Sequence, residues 1–183
     1  MGIGFNFNEI EKNLSDEVVS SKILAYAGID TDNVPILVED AIKYFGFRIG
    51  VVEKFKREEI LLGIAHAEEK FEPLKSNMYV IFKKGIDINK RRYVMAYALS
   101  CYVLYSGGKH YTKTIDEQLI NVLSDEREYR VARSLLMPIK SLSTFLNSPL
   151  ISKLNNNEKV ERVSKAFLVP VEVAKKRIVE AGL

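Results

Sequence analysis

The chain has a single cysteine, Cys101. That excludes an intramolecular disulfide, and with it the disulfide-stapled framework of small secreted domains. Histidine is almost as scarce, with only His66 and His110. A catalytic zinc usually needs three protein ligands and one open position, and no local cluster supplies them. No apolar run is long enough to predict a membrane span. The first residues lack the basic start, apolar stretch and small-residue cleavage site of a secretory signal. Asn6 stands where a myristoylation signal built on Gly2 needs Ser or Thr. A cytoplasmic protein is therefore the expectation. No phosphate loop is present either, because "GIGFN" has neither the third glycine nor a preceding strand. An excess of charge of one sign is nearly absent, since 27 Lys/Arg stand against 24 Asp/Glu for a net charge of only +3. That balance is too weak to predict a nucleic-acid partner.

What is present is an ordinary globular balance, with 47% hydrophobic and 28% charged residues over 183 positions. This length suits one domain, or one domain with a helical extension. Apolar residues at Ile10, Leu14, Val18, Ile23, Leu24 and Ala27 follow helical spacing up to Gly28. "PILVEDAIKYFG" has proline first and glycine last, as a helix does. "FRIGVVEKF", "ILLGIAHA" and "NMYVIFKK" are short, apolar and rich in β-branched or aromatic residues, so they read as strands. Consecutive strands with short links predict a three-stranded, mostly antiparallel sheet.

"DINKRRYVMAYALSCYVLYSGG" follows, with Asp87 or Asn89 as cap and Gly107–Gly108 as terminator. From Tyr93 to Tyr105 only Ser100 is neither apolar nor aromatic. A helix apolar on every side is buried on every side. Further helices are expected over 115–123, 125–137 (ending at Pro138), 139–146, 158–167 and 171–181. The fold class predicted is α+β: a small sheet on a buried central helix, with a helical C-terminal extension. The division expected is 1–147 for the main domain and 148–183 for the helical pair.

The charged candidates are modest. Lys83–Lys84 and Lys90–Arg92 flank the sheet-to-helix junction and read as a solvated edge, with a surface for an acidic partner as the alternative. Residues 151–183 hold seven Lys/Arg against four Glu. The last two helices outline a helix-turn-helix, in which Lys175, Lys176 and Arg177 would meet phosphates; a packed helical hairpin is the plainer reading. Cys101, set among Tyr, Val, Leu and Met, reads as a small buried hydrophobe rather than a nucleophile, which would need a nearby base such as His110.

The order of these pieces resembles the ImmA/IrrE family of zinc metallopeptidases over nearly the whole chain. "VPILVEDAIKYFGFRIGVVE" looks like the family's Pro-led helix, glycine and strand. "RRYVMAY" looks like the start of its arginine-led zinc helix. "VARSLLMP" looks like its Leu-Leu-Met-Pro helix end, and "VSKAFLVPVEVAKKRIVEAGL" like its C-terminal pair. The resemblance implies a zincin-like fold. The family's helix reads Ala-His-Glu-Leu-Gly-His-Tyr-Leu-Leu-His. Here its first zinc histidine falls on Tyr97, the general-base glutamate on Ala98, the second zinc histidine on Cys101 and the last histidine on Tyr105. The third ligand, a glutamate in the family, falls on Arg127.

Two imidazoles at i and i+4 hold zinc on one helix face, and the glutamate between them deprotonates the bound water. A phenol with a pKa near 10 is a poor substitute at neutral pH, and an alanine is no base. The resemblance thus implies a degenerate, inactive relative with no cofactor. It would act as a regulatory protein-binding module in a bacterium or mobile element. Its partner would be a protein such as a helix-turn-helix repressor. One alternative is an active endopeptidase with a non-standard site, in which Cys101, His110, Glu126 or Glu128 would hold zinc or Cys101 would attack directly. The other is a DNA-binding regulator working through the C-terminal helices.

Overall fold

The computed structural model describes residues 10, 13–53, 61–66, 78–106, 112–116 and 124–183. In chain order they form α1 (Asp16–Tyr26), α2 (Val38–Tyr44), β1 (Arg48–Val52), β2 (Leu61–His66), β3 (Tyr79–Lys83) and α3 (Ile88–Cys101). A π-helical stretch, Tyr102–Ser106, continues α3 directly. Then come β4 (Thr112–Asp116), α4 (Arg127–Leu136), α5 (Ile139–Leu146), α6 (Asn156–Phe167) and α7 (Val171–Glu180).

Local chemistry accounts for the helix starts. The Ser15 side chain accepts from the Val18 amide and opens α1, with Asp16 and Glu17 in its first turn. Carboxylates there complement the positive end of the helix dipole. Asp87 caps α3 by accepting from the Asn89 amide at 2.8 Å. Asn155 and Glu158 close a reciprocal capping box on α6, which satisfies two backbone donors at once.

The expected three-stranded, mostly antiparallel sheet is corrected. The described residues are dominated by helix. The two strands whose side chains are described, β1 and β3, run parallel, with Arg48 opposite Tyr79 and Val52 opposite Lys83. The strand order is β1-β3-β2-β4, with β2 antiparallel to both β3 and β4. The error has a physical source. Neighbours in sequence are not always neighbours in the sheet: β3 is antiparallel to β2 and lies between β2 and β1. The segment carrying β2 is thus the crossover that a parallel pair requires. The zincin-like architecture inferred with that sheet falls with it. Thr112–Asp116 is also a strand rather than the start of a helix at Ile115.

The core lies between the sheet and the helices. Val80, Ile81 and Phe82 of β3 are buried, while Val51 on the edge strand β1 is half exposed. Every residue of α3 from Arg92 to Cys101 is buried. The partners of α3 are α2 on one side and α4 on another, and α4 also packs on α1 and α7. Val163, Phe167, Val169, Val173 and Ala174 of the C-terminal helices belong to the same continuous core as α3 and α4. Among the described residues, no helix is long and apolar enough to cross a membrane.

Buried arginines tie these layers together. Arg92 is 3% exposed. Its guanidinium donates to Glu39 at 2.8 Å, to the Ile36 carbonyl and to the Leu168 carbonyl. It thereby joins α3 to the start of α2 and to the turn between α6 and α7. The solvated-edge reading of Lys90–Arg92 fails at this residue. Lys84 does sit at the surface, paired with Glu53 at 2.6 Å.

Candidate functional site

Spacing by four puts Tyr93, Tyr97 and Cys101 on one face of α3. Opposite lie Tyr129 and Arg133 of α4. The rings of Tyr97 and Tyr129 are 4.5 Å apart between centroids and tilted by 37°. Such a spacing is that of a favourable aromatic pair. Tyr97 and Ala98 are completely buried, Cys101 is 1% exposed and Tyr129 is 4% exposed. Ser100, the one residue of this stretch that is neither apolar nor aromatic, donates back to the Ala96 carbonyl at 2.8 Å. Its polar atom is therefore satisfied inside its own helix.

The protonation states follow from burial. Removal from water holds the Tyr97 phenol far above its ordinary value, and the neighbouring Cys101 thiol and Tyr129 hydroxyl act in the same direction. Tyr129 is also pushed up, chiefly by burial, with the Tyr97 hydroxyl opposing. Burial raises Tyr93 as well, and the Arg133 charge beside it pulls the other way. The interface is thus neutral at its tyrosines over the physiological range.

Arg133 is fully buried. It makes a two-point ion pair with Glu180 of α7, Nε to Oε2 at 2.8 Å and Nη2 to Oε1 at 2.5 Å, and also donates to the Ser124 carbonyl. Paired oxygens matched to the planar fork make this the stronger kind of contact. It fastens the C-terminal helix to the helix that faces α3.

The degenerate positions do not converge on a metal. Tyr97 and Cys101 share the α3 face, but Ala98 contributes no polar atom. Arg127 turns the other way, donating to the Leu14 carbonyl at 2.7 Å and facing Asp16 at 3.4 Å. Tyr105 lies in the π-helical stretch, with its side chain outside the described residues. Of the fallback set, Glu126 precedes α4 as its N-cap and Glu128 is nearly buried in its first turn. Their charge reaches Tyr129. Among the described residues, Cys101, Glu126 and Glu128 do not form a group of three able to hold a metal. His110 lies outside the described residues, and the side chain of His66, at the end of β2, does too. A zinc ion would need anionic or imidazole donors. Neutral buried phenols, an alanine and an outward arginine do not fit one.

The basic candidates of α7 divide. Arg177 is 4% exposed. It donates to the Met137 carbonyl at 3.0 Å and pairs with Glu17 of α1. It is a structural tie rather than a phosphate contact. Lys176 pairs with Asp125 at 2.7 Å. Lys175 is exposed and lines a groove between α5, α6 and α7.

Sequence reasoning missed Tyr129 and Arg133 as the residues facing Tyr97 and Tyr93. A signal for them existed, since Tyr129, Ala132, Arg133 and Leu136 share one helix face, and small Ala132 allows close approach. The sequence matches no protein-family model and no curated protein.

Proposed function

We propose that the chain is a catalytically silent relative of the ImmA/IrrE metallopeptidases that works as a regulatory protein-binding module. The observation that supports this reading is the packed Tyr97–Tyr129–Cys101 interface, at the positions where the resemblance implies a zinc centre. Metal-assisted hydrolysis needs a metal-bound water, a base to deprotonate it and a path for substrate. Here the base position is Ala98, the first ligand position is a phenol held in its neutral form, and both are buried.

The partner implied is a protein, in the setting of a phage or mobile element a helix-turn-helix repressor, bound and not cut. Two measurements test this. Elemental analysis of the purified protein is expected to find no stoichiometric zinc. Incubation with a repressor encoded beside it is expected to leave that repressor intact, and Cys101→Ala to change nothing. Zinc at one equivalent, or cleavage lost on chelation or in Cys101→Ala, overturns the reading.

A further inference from the structure

The C-terminal helices build a groove of about 460 Å³ between the end of α5, the first turns of α6 and the last turns of α7. Its apolar lining comes from Leu146, Val160, Ile178 and Val179. Val179 is 71% exposed and Leu183, at the same rim, 47%.

The charge of the groove has one sign. Lys159 and Lys175 line it, and no aspartate or glutamate does. Neither lysine forms an ion pair among the described residues, unlike Lys176 next door, which is held by Asp125. Asn156 and Asn157 also line it, from the first turn of α6. The Glu158 carboxylate of that turn is held in the capping box and answers the positive end of the helix dipole, which leaves the two lysines as the charged groups lining the groove. An apolar floor under a rim of two lysines without ion-pair partners among the described residues complements an amphipathic segment that carries carboxylates.

We propose that this groove docks an acidic amphipathic segment of a partner protein, with apolar side chains on Val160, Ile178 and Val179 and carboxylates on Lys159 and Lys175. The proposal rests on the protein-binding reading above and assigns it a surface. It places the contact at α6 and α7, away from the buried face of α3. Helix-in-groove docking of this kind reads anchors at i, i+3, i+4 and i+7.

The probe is a synthetic helical peptide with leucines at that spacing and glutamates on the flanks, titrated against the whole chain by fluorescence anisotropy. A control carries glutamine for every glutamate. The acidic peptide is expected to bind more tightly, with an affinity that falls as salt rises. The Lys159→Glu/Lys175→Glu variant is expected to lose about tenfold or more, and Val179→Asp a similar factor. Circular dichroism checks that each variant is folded. Amide shift mapping on the parent chain needs no variant, and is expected to mark Asn156, Asn157 and Val179 and to spare Tyr97.

Equal binding of both peptides, no binding, unchanged affinity in folded groove variants, or shifts centred on α3 each overturns the proposal. So does a concentration-dependent dimer abolished by Val179→Asp, which would make a second copy the occupant. Preferential competition by duplex DNA would also overturn it. Such failures in a zinc-free, non-cleaving protein remove the groove alone. Zinc or cleavage removes the pseudoenzyme reading and leaves the peptide result standing.

Discussion

The α3–α4 interface and the C-terminal groove are both lined by residues that sequence inspection singles out, yet they have opposite physical characters. The first is closed, aromatic and neutral, with Tyr97 fully buried against Tyr129. The second is open and positive, with Lys175 and Val179 exposed. A chemical site needs access as well as functional groups. The stretch with the strongest resemblance to a catalytic helix lacks that access. The stretch with the weaker motif has it. Burial turns polar side chains into structural ties, as Arg133 and Arg177 show, and exposure leaves Lys175 free to meet something else.

The sharpest way to break this contrast is Arg133→Ala. It strands Glu180 on α7 and removes the tie behind Tyr93. Loss of one partner of a buried pair costs about 3–5 kcal/mol, and the partial exposure of Glu180 puts the expected loss at about 3 kcal/mol. Urea unfolding measures it. A loss below about 1 kcal/mol would mean that the interface is not held as described.

Alkaline pH probes the same interface more gently. Tyr93 and Tyr97 are both raised in the folded chain, chiefly by burial. Their contribution is complete below the unfolded value near 10. It is lost as pH rises above that value, because the unfolded chain releases the proton first. Each such tyrosine should lower stability by about 1.4 kcal/mol per pH unit there. Chemical unfolding at stepped pH between about 9.5 and 11.5 measures the slope, and Tyr97→Phe should make it shallower. An unchanged slope in Tyr97→Phe would show that this phenol is not sequestered.

The smallest expected effect belongs to the groove. Lys175→Glu touches no ion pair among the described residues, so stability should stay within about 0.5 kcal/mol of the parent. Arg177→Ala, only two positions on, leaves Glu17 of α1 without its charged partner and should cost several times more. Thermal melts of the two variants side by side test whether burial rather than residue type divides them. Equal losses would erase the distinction between the two regions.

The parts of the fold that were legible are those with local causes. The Asp87 cap, the start of α5 after Pro138 and the two C-terminal helices all follow from signals within a turn or two of where they act. The strand order was not legible, because β3 chooses between β1 and β2 by packing far along the chain. The burial of Arg92 and Arg177 was not legible for the same reason. Arg92 reads as surface charge in a basic run, and nothing near Arg177 names the groups that hold it. Each is buried because a carboxylate and a carbonyl from distant segments converge on it, Glu39 and Ile36 for one, Glu17 and Met137 for the other. The Tyr97 face was half legible: its spacing gave one side, and nothing local named Tyr129 as the other.

The sequence by itself determined most of the helices, though not the strand at Thr112–Asp116, that the stretch from Tyr93 to Cys101 is core, and that the positions aligned with a zinc motif carry no set of zinc donors. These follow from side-chain chemistry and short-range spacing. Only the tertiary structure decided that Tyr97 is closed over by Tyr129, that Arg127 faces away, and that Lys159 and Lys175 share a groove with Val179. Those facts depend on which elements meet across the fold, and burial, not residue identity alone, sets whether a polar group binds the protein to itself or to a partner.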